Sequence, residues 1–399
     1  MTRAERGDRL LLLLGLANAG GVVAYVPLLT LLLPGKMALL AGEARVEWLG
    51  AATLAGAVAA SLANIAAGWA SDVIGTRRLW AGAGLCLTVV SYAPLHAAAS
   101  PSSLVIAVVL YQVALNTLLS PIAAWAADTV PDRRKGLLGG LFGAGPAIGA
   151  VAGVIATMPG LAQDWMPMAA TCALVVALIA PLLLLRTRGY PDAPSPDAAP
   201  PRRSGARTDF ALLWTARLLV QIAGSVLFVF LLYYFQGLPG APSQVDVARL
   251  VAFSLLFSFP VALASGRLSD LLGPRKPFLF AALMMAAGGL AVMACATRLG
   301  PAAIGYALFG CGSAVFLSLH SGYAMQLLPA PARRGRDLGV LNLGNTLPSV
   351  MAPLLALWLV PAHGFEPLLA ALAALVMLSG LCVLLVRRDA QAAWDFSSG

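Results

Sequence analysis

A charged turn set between two long apolar runs is written twice in this chain. Gly68, Ser71, Asp72, Gly75 and Arg77, followed by the basic Arg78, return 198 positions later as Gly266, Ser269, Asp270, Gly273 and Arg275, followed by Lys276. A second set, Pro131, Arg133, Arg134 and Gly139, returns as Pro331, Arg333, Arg334 and Gly339. The apolar runs around both sets return with them. A chain that repeats its turns and its apolar runs in register is one folding unit used twice.

What those units fold into follows from how little charge they carry. Of the 399 residues, 60% are hydrophobic and 11% charged, whereas a soluble surface needs about 25% charged residues. Crossing a hydrocarbon core takes about 20 mostly apolar residues. Runs of that kind fall at about 10–33, 47–70, 79–99, 102–126, 137–158 and 165–185, then at about 210–236, 246–266, 277–297, 301–327, 338–360 and 367–386. The expected fold is an all-α membrane protein, twelve transmembrane helices in two pseudo-symmetric six-helix bundles. Residues 1–186 form the first bundle, and 209–399 form the second with a short tail. Between them 187–208, with Pro191, Pro194, Pro196, Pro200 and Pro201, reads as a solvated linker.

Charge placement gives the expected orientation. All of the 26 Lys and Arg except Lys36, Arg45, Arg249, Arg298 and Arg217 fall on one side of this threading. Positive charge marks the cytoplasmic side, so both termini and the linker are expected there. That also accounts for the net charge of +9 without nucleic acid. Arg3, Arg6 and Arg9 lead into the first run with no cleavage site, so the run is expected to be retained as a helix. The expected setting is a bacterial-type inner membrane, and a monomer is expected. Cys86, Cys172, Cys295, Cys311 and Cys382 sit in apolar runs without metal-ligand spacing. No Walker loop, dinucleotide fingerprint or nucleophile–base pair is evident, which argues against an enzyme, a cofactor or a metal.

The paired G-x-x-x-D-x-x-G-x-R-[RK] loops, the six-plus-six layout and the central linker resemble the major facilitator superfamily over nearly the whole chain. The resemblance implies two bundles rocking about a site near the bilayer midplane, with alternating access. It further implies that Gly68, Asp72, Gly75 and Arg77, with Gly266, Asp270, Gly273 and Arg275, form a conformational latch. Asp128, closing the fourth span, matches the family's additional acidic partner; the corresponding place in the tenth span holds Leu327 and Leu328. Gly145, Pro146, Gly149 and Gly153 partly match the family's antiporter motif, and their spacing also suits a plain helix-packing seam.

By the same analogy spans 1, 4, 7 and 10 line the cavity. Their polar residues recur at helical spacing. Gln112, Asn116 and Ser120 share one face of span 4, and Arg217, Gln221 and Ser225 one face of span 7. Span 10 offers Ser313, His320 and Tyr323, span 1 Asn18 and Tyr25, and span 11 Asn342, Asn345 and Thr346. Pro27 is expected to bend span 1. Arg217 is expected to snorkel toward the headgroups, and Tyr233 and Tyr234 to sit in an interfacial belt. No Asp or Glu falls in mid-span, so His320 is the proton-coupling candidate. The expected function is secondary active transport of a small neutral polar or amphipathic solute, such as a sugar or glycoside, coupled to protons. The alternatives are a proton-driven exporter of hydrophobic compounds and, from another class, a non-transporting membrane receptor on the same fold.

Overall fold

The computed structural model describes residues 3–130, 137–138, 141–158, 165–184, 206–272, 275–326 and 334–387, and every regular element among them is helical. Helix α1 (Arg3–Pro27) runs into a π-turn (Leu28–Leu32), α2 (Leu33–Ala41) and a 3-10 turn (Gly42–Ala44), and α3 spans Arg45–Ile74. Then follow α4 (Arg77–Ala97), α5 (Pro101–Thr129), α6 (Gly145–Ala156) and α7 (Met166–Leu184). The remaining helices are α8 (Ala206–Gln236), α9 (Gln244–Leu272), α10 (Arg275–Cys295), α11 (Leu299–Gln326), α12 (Arg334–His363) and α13 (Phe365–Leu385).

Within each expected span the described residues are mostly helical. Among the described residues nine stretches are long and apolar enough to cross a membrane, the first being the continuous Asp8–Ile74; Leu141–Ala156 and Leu347–His363 are shorter apolar helices. The loop expected after residue 33 is instead helical up to Ile74. Pro34 falls in the first turn of α2, directly after the π-turn, where the hydrogen-bond ladder changes register. At Pro27, where a bend is expected, the helix passes into the π-turn Leu28–Leu32.

By contact the chain forms two compact units, Met1–Asp197 with Ser243–Ala252, and Ala198–Pro242 with Phe253–Gly399. In the first, α1 is the hub, packing on α5, α6 and α7; α4 meets α5 and α7. In the second, α8 is the hub for α11, α12 and α13, while α10 meets α11 and α13. These pairings of the hub and of the third span recur in both units, whereas the extensive α3–α5 pairing belongs to the first. Both hubs are buried along much of their length: Leu14, Ala17 and Ala24 of α1 and Leu213, Ala216 and Ala223 of α8 are each 0% exposed.

Hydrocarbon supplies no force that squeezes apolar helices together, so close packing must. In the second unit α10 and α11 touch backbone to backbone. A Cβ at Gly305 would lie 2.6 Å from the Gly289 carbonyl oxygen, and one at Gly289 would lie 2.6 Å from the Phe309 nitrogen. Glycine is required there because neither neighbour is a side chain that can swing away. By contrast, a Cβ at Gly288 would meet nothing within 4 Å. Gly305→Leu is therefore expected to destabilise the folded protein by about 1–3 kcal/mol or more, read as a lowered thermal midpoint in detergent. Gly288→Leu should leave that midpoint unchanged.

Candidate functional site

At the basic end of the first unit, α3 stops at Gly75, whose φ of +69° closes the helix with its N–H on the Ser71 carbonyl at 3.2 Å. A left-handed residue here is cheap only as glycine. The reversal brings the first residue of α4, Arg77, back over the end of α3. Its guanidinium pairs with Asp72, donates to Asp128 Oδ2 from Nε at 3.2 Å and from Nη2 at 3.1 Å, and donates to Ser71 Oγ from Nη1 at 2.6 Å. One arginine thus binds α3, α4 and α5 together. The resemblance had marked Asp128; Ser71 is an added ligand, and its hydroxyl in turn donates to the Gly68 carbonyl at 2.9 Å. Gly68 faces its own unit, for a Cβ there would lie 2.9 Å from Ser120 Oγ of α5.

Beside it, Arg78 donates from Nη2 to the Leu183 carbonyl in the last turn of α7. The second copy repeats this: Lys276 donates to the Val386 carbonyl just beyond α13. A cation on terminal carbonyls complements the negative end of the helix dipole. Gly273 and the Asp270 side chain lie outside the described residues, and a Cβ at Gly266 would meet nothing within 4 Å. Arg275 opens α10 as Arg77 opens α4.

The polar stripe of α5 turns toward α3. Asn116 Oδ1 accepts from Asn64 Nδ2 at 3.3 Å, Asn116 Nδ2 donates to the Gln112 carbonyl at 2.8 Å, and Ser120 Oγ donates to the Asn64 carbonyl at 2.9 Å. Asn64 escaped the sequence reading although it sits one turn before Gly68, on the same face. Asn18 points elsewhere, donating from Nδ2 to the Phe142 carbonyl at 3.4 Å. The glycines of α6 pack on α1: Cβ atoms at Gly145, Gly149 and Gly153 would lie 2.8 Å from Val22, 3.0 Å from Val26 and 3.0 Å from Leu31. Pro146 falls in the first turn of α6. Tyr25 is partly exposed; at the residue before it, the Ala24 carbonyl accepts from the buried Tyr92 and Tyr111 hydroxyls.

In the second unit the structure joins Arg217 and His320. Arg217 Nη1 approaches His320 Nδ1 to 3.5 Å, and His320 Nε2 lies 2.9 Å from the Leu213 carbonyl. A guanidinium only donates and a carbonyl only accepts. A neutral imidazole with the proton on Nε2 and a free lone pair on Nδ1 suits both neighbours. His320 is 0% exposed and its ring lies 5.1 Å from that of Phe316. Arg217 therefore turns inward rather than snorkelling, because it has a partner one helix away. Gly344 of α12 lies beside it, a Cβ there reaching ordinary contact 3.7 Å from Arg217 Cδ. Gln221 is half-buried one turn further along α8, while the side chains of Tyr323, Asn342, Asn345 and Thr346 lie outside the described residues. Tyr233 and Tyr234 are not a belt: they are 1% and 6% exposed, and the Tyr234 hydroxyl donates to the Met293 carbonyl at 2.6 Å.

Comparison with solved structures places this architecture. A D-xylose–proton symporter superposes with a TM-score of 0.72 at 13% identity, covering 98% of this chain and 99% of that one. A peptide transporter of the POT type in complex with sulfate gives 0.70 at 15%, covering 95% and 94%. A bacterial homologue of the human lysosomal transporter Spinster, inward-facing and occupied, gives 0.67 at 17%, covering 95% and 94%. By sequence, no functionally curated protein is significantly similar to the chain. The sequence does match the family described as Major Facilitator Superfamily over residues 11–246 and again over 213–398. This multi-pass, all-helical membrane protein belongs to the Major Facilitator Superfamily of transporters.

Proposed function

We propose that the protein is a secondary active transporter that moves a small neutral polar or amphipathic organic solute, such as a sugar or glycoside, by alternating access coupled to protons. The contact between Arg217 and His320 carries this reading. Ionisable side chains within spanning segments are costly and are kept where they act. A proton arriving at His320 Nδ1 would replace an acceptor by a donor and set a second cation against the guanidinium. The pair would have to part, which links proton binding to the position of Arg217 on the central helix α8. Gln221, half-buried one turn from Arg217 on α8, is an amide of the kind a hydroxylated solute needs, while Asn116 is bonded to Asn64 and to the Gln112 carbonyl. The fold of the xylose–proton symporter is compatible with the same use.

The Arg77 cluster acts in this scheme as a conformational latch at the cytoplasmic rim. Both acids are more than half exposed, Asp72 at 60% and Asp128 at 56%, so each pair contributes no more than about 1 kcal/mol to folding. A larger effect of mutation on transport would therefore be conformational.

Three measurements bear on this. In liposomes, His320→Ala is expected to abolish uptake driven by an imposed pH gradient while leaving solute exchange without a gradient; unchanged gradient-driven uptake would remove His320 from coupling. Asp128→Asn should shift the thermal midpoint only slightly yet slow turnover severalfold, and equal turnover would sink the latch. Saturating solute at about 100 times its Kd should stabilise the purified protein by about 2.7 kcal/mol. A screen in which hydrophobic drugs, and no sugars or glycosides, raise the midpoint would favour the exporter instead.

A further inference from the structure

A groove of about 890 Å3 follows α4 between the last turns of α5 and α7. Its mouth is polar, with Arg77, Arg78 and Asp128, and its depth is apolar, with Gly82, Ala83 and Cys86 along the floor and Trp125 and Leu183 among the walls. Leu79, Gly82, Ala83 and Cys86 recur at helical spacing and so share one face of α4. From Leu79 to Cys86 that face runs about 10 Å inward from the basic rim. A Cβ at Gly82 would meet nothing within 4 Å. The flanks are apolar and open, with Leu79 68% and Leu184 76% exposed, as suits a surface solvated by hydrocarbon.

The duplicated half shows that helix geometry alone does not make this groove. Gly82 and Cys86 correspond, 198 positions on, to Phe280 and Met284. Those larger side chains fill the space between α10 and α13: a Cβ at Gly380 would lie 2.7 Å from the Met284 methyl and 3.4 Å from the Phe280 ring. Two small residues in the first unit thus open what two large ones close in the second. The charge at the mouth is uneven as well. Arg77 is held by two carboxylates, whereas Arg78 touches only the neutral Leu183 carbonyl among the described residues.

We propose that this groove holds one anionic phospholipid from the leaflet facing the basic helix ends. Its phosphate sits on the Arg78 guanidinium and an acyl chain lies along Gly82, Ala83 and Cys86. A soluble phosphate could use only the mouth. The apolar depth and the open apolar flank need a chain.

The test is native mass spectrometry of the delipidated full-length protein titrated with phosphatidylglycerol, phosphatidylcholine or glycerol phosphate. The native chain should retain one phosphatidylglycerol in preference to phosphatidylcholine, and glycerol phosphate should not compete. Gly82→Phe, which installs the residue of the second half, should lose that lipid, and Arg78→Gln should hold it about fivefold more weakly, the loss of one basic contact at a membrane surface. Cys86 gives a reading independent of any variant's folding. Phosphatidylglycerol should slow its modification by a maleimide while leaving Cys295, also exposed, unchanged. Equal lipid retention by both variants, or Cys86 labelling indifferent to lipid, would overturn the proposal; so would displacement by glycerol phosphate, which would assign the mouth to a soluble anion.

Discussion

Hydrocarbon offers no partner to a polar atom, so donors inside this chain must look to the protein itself. Of the buried side-chain groups described, only the Ser254, Ser269 and Ser313 hydroxyls lack a partner. Most hydroxyls solve this locally. Thr53, Thr88 and Thr117 donate to the carbonyl four residues back on their own helix, at 2.7–2.8 Å. Several of the bonds that cross between helices converge on backbone carbonyls of the two hubs. Ala24 of α1 accepts from Tyr92 and Tyr111, while on α8 Leu213 accepts from His320 and Ala216 from Ser379 at 2.9 Å. The helix at the centre of each half is therefore the acceptor post around which its neighbours are fixed, and the ionisable pair of the second half hangs from one of those posts.

Much of this architecture is readable in the amino-acid order. The existence of each helix follows from length and hydropathy, which the bilayer enforces directly. The turn at Gly75 belongs to a repeated motif, and Asp128 is marked as an acidic partner only through the family resemblance. Other features resist such a reading for a definite reason. Spacing places Gln112, Asn116 and Ser120 on one face of a helix, but does not name the helix opposite, which is α3. The direction of Arg217 depends on whether a neighbour offers an acceptor nearer than the headgroups, and that neighbour, His320, lies a hundred residues away. Tyr233 and Tyr234 have the composition of interfacial residues and yet are buried, since the Met293 carbonyl is within reach of a hydroxyl. Pro34 has the appearance of a helix breaker and is instead a first-turn residue.

The two halves keep a common frame while diverging in detail. Each anchors the terminal carbonyls of its last helix by the basic residue that follows the motif arginine, Arg78 in one and Lys276 in the other. Guanidinium and ammonium are not equivalent, for the planar fork retains directed donors after one bond is made. Where the first half combines that fork with glycine and cysteine, the second combines an ammonium with phenylalanine and methionine. Duplication supplied the frame, and side-chain volume then gave the halves different surfaces.

The π-turn at Leu28–Leu32 has a consequence for how α1 and α2 are phased. One extra residue in the ladder rotates everything after it by about 100° relative to an uninterrupted α-helix. The side chains of Leu33–Ala41 thereby point where their sequence spacing from Arg3–Pro27 would not put them. This offset lets Lys36 reach the Leu95 carbonyl at 2.8 Å, closing the far end of α4. In an uninterrupted α-helix the Lys36 side chain would leave α1 about 100° away from that anchor.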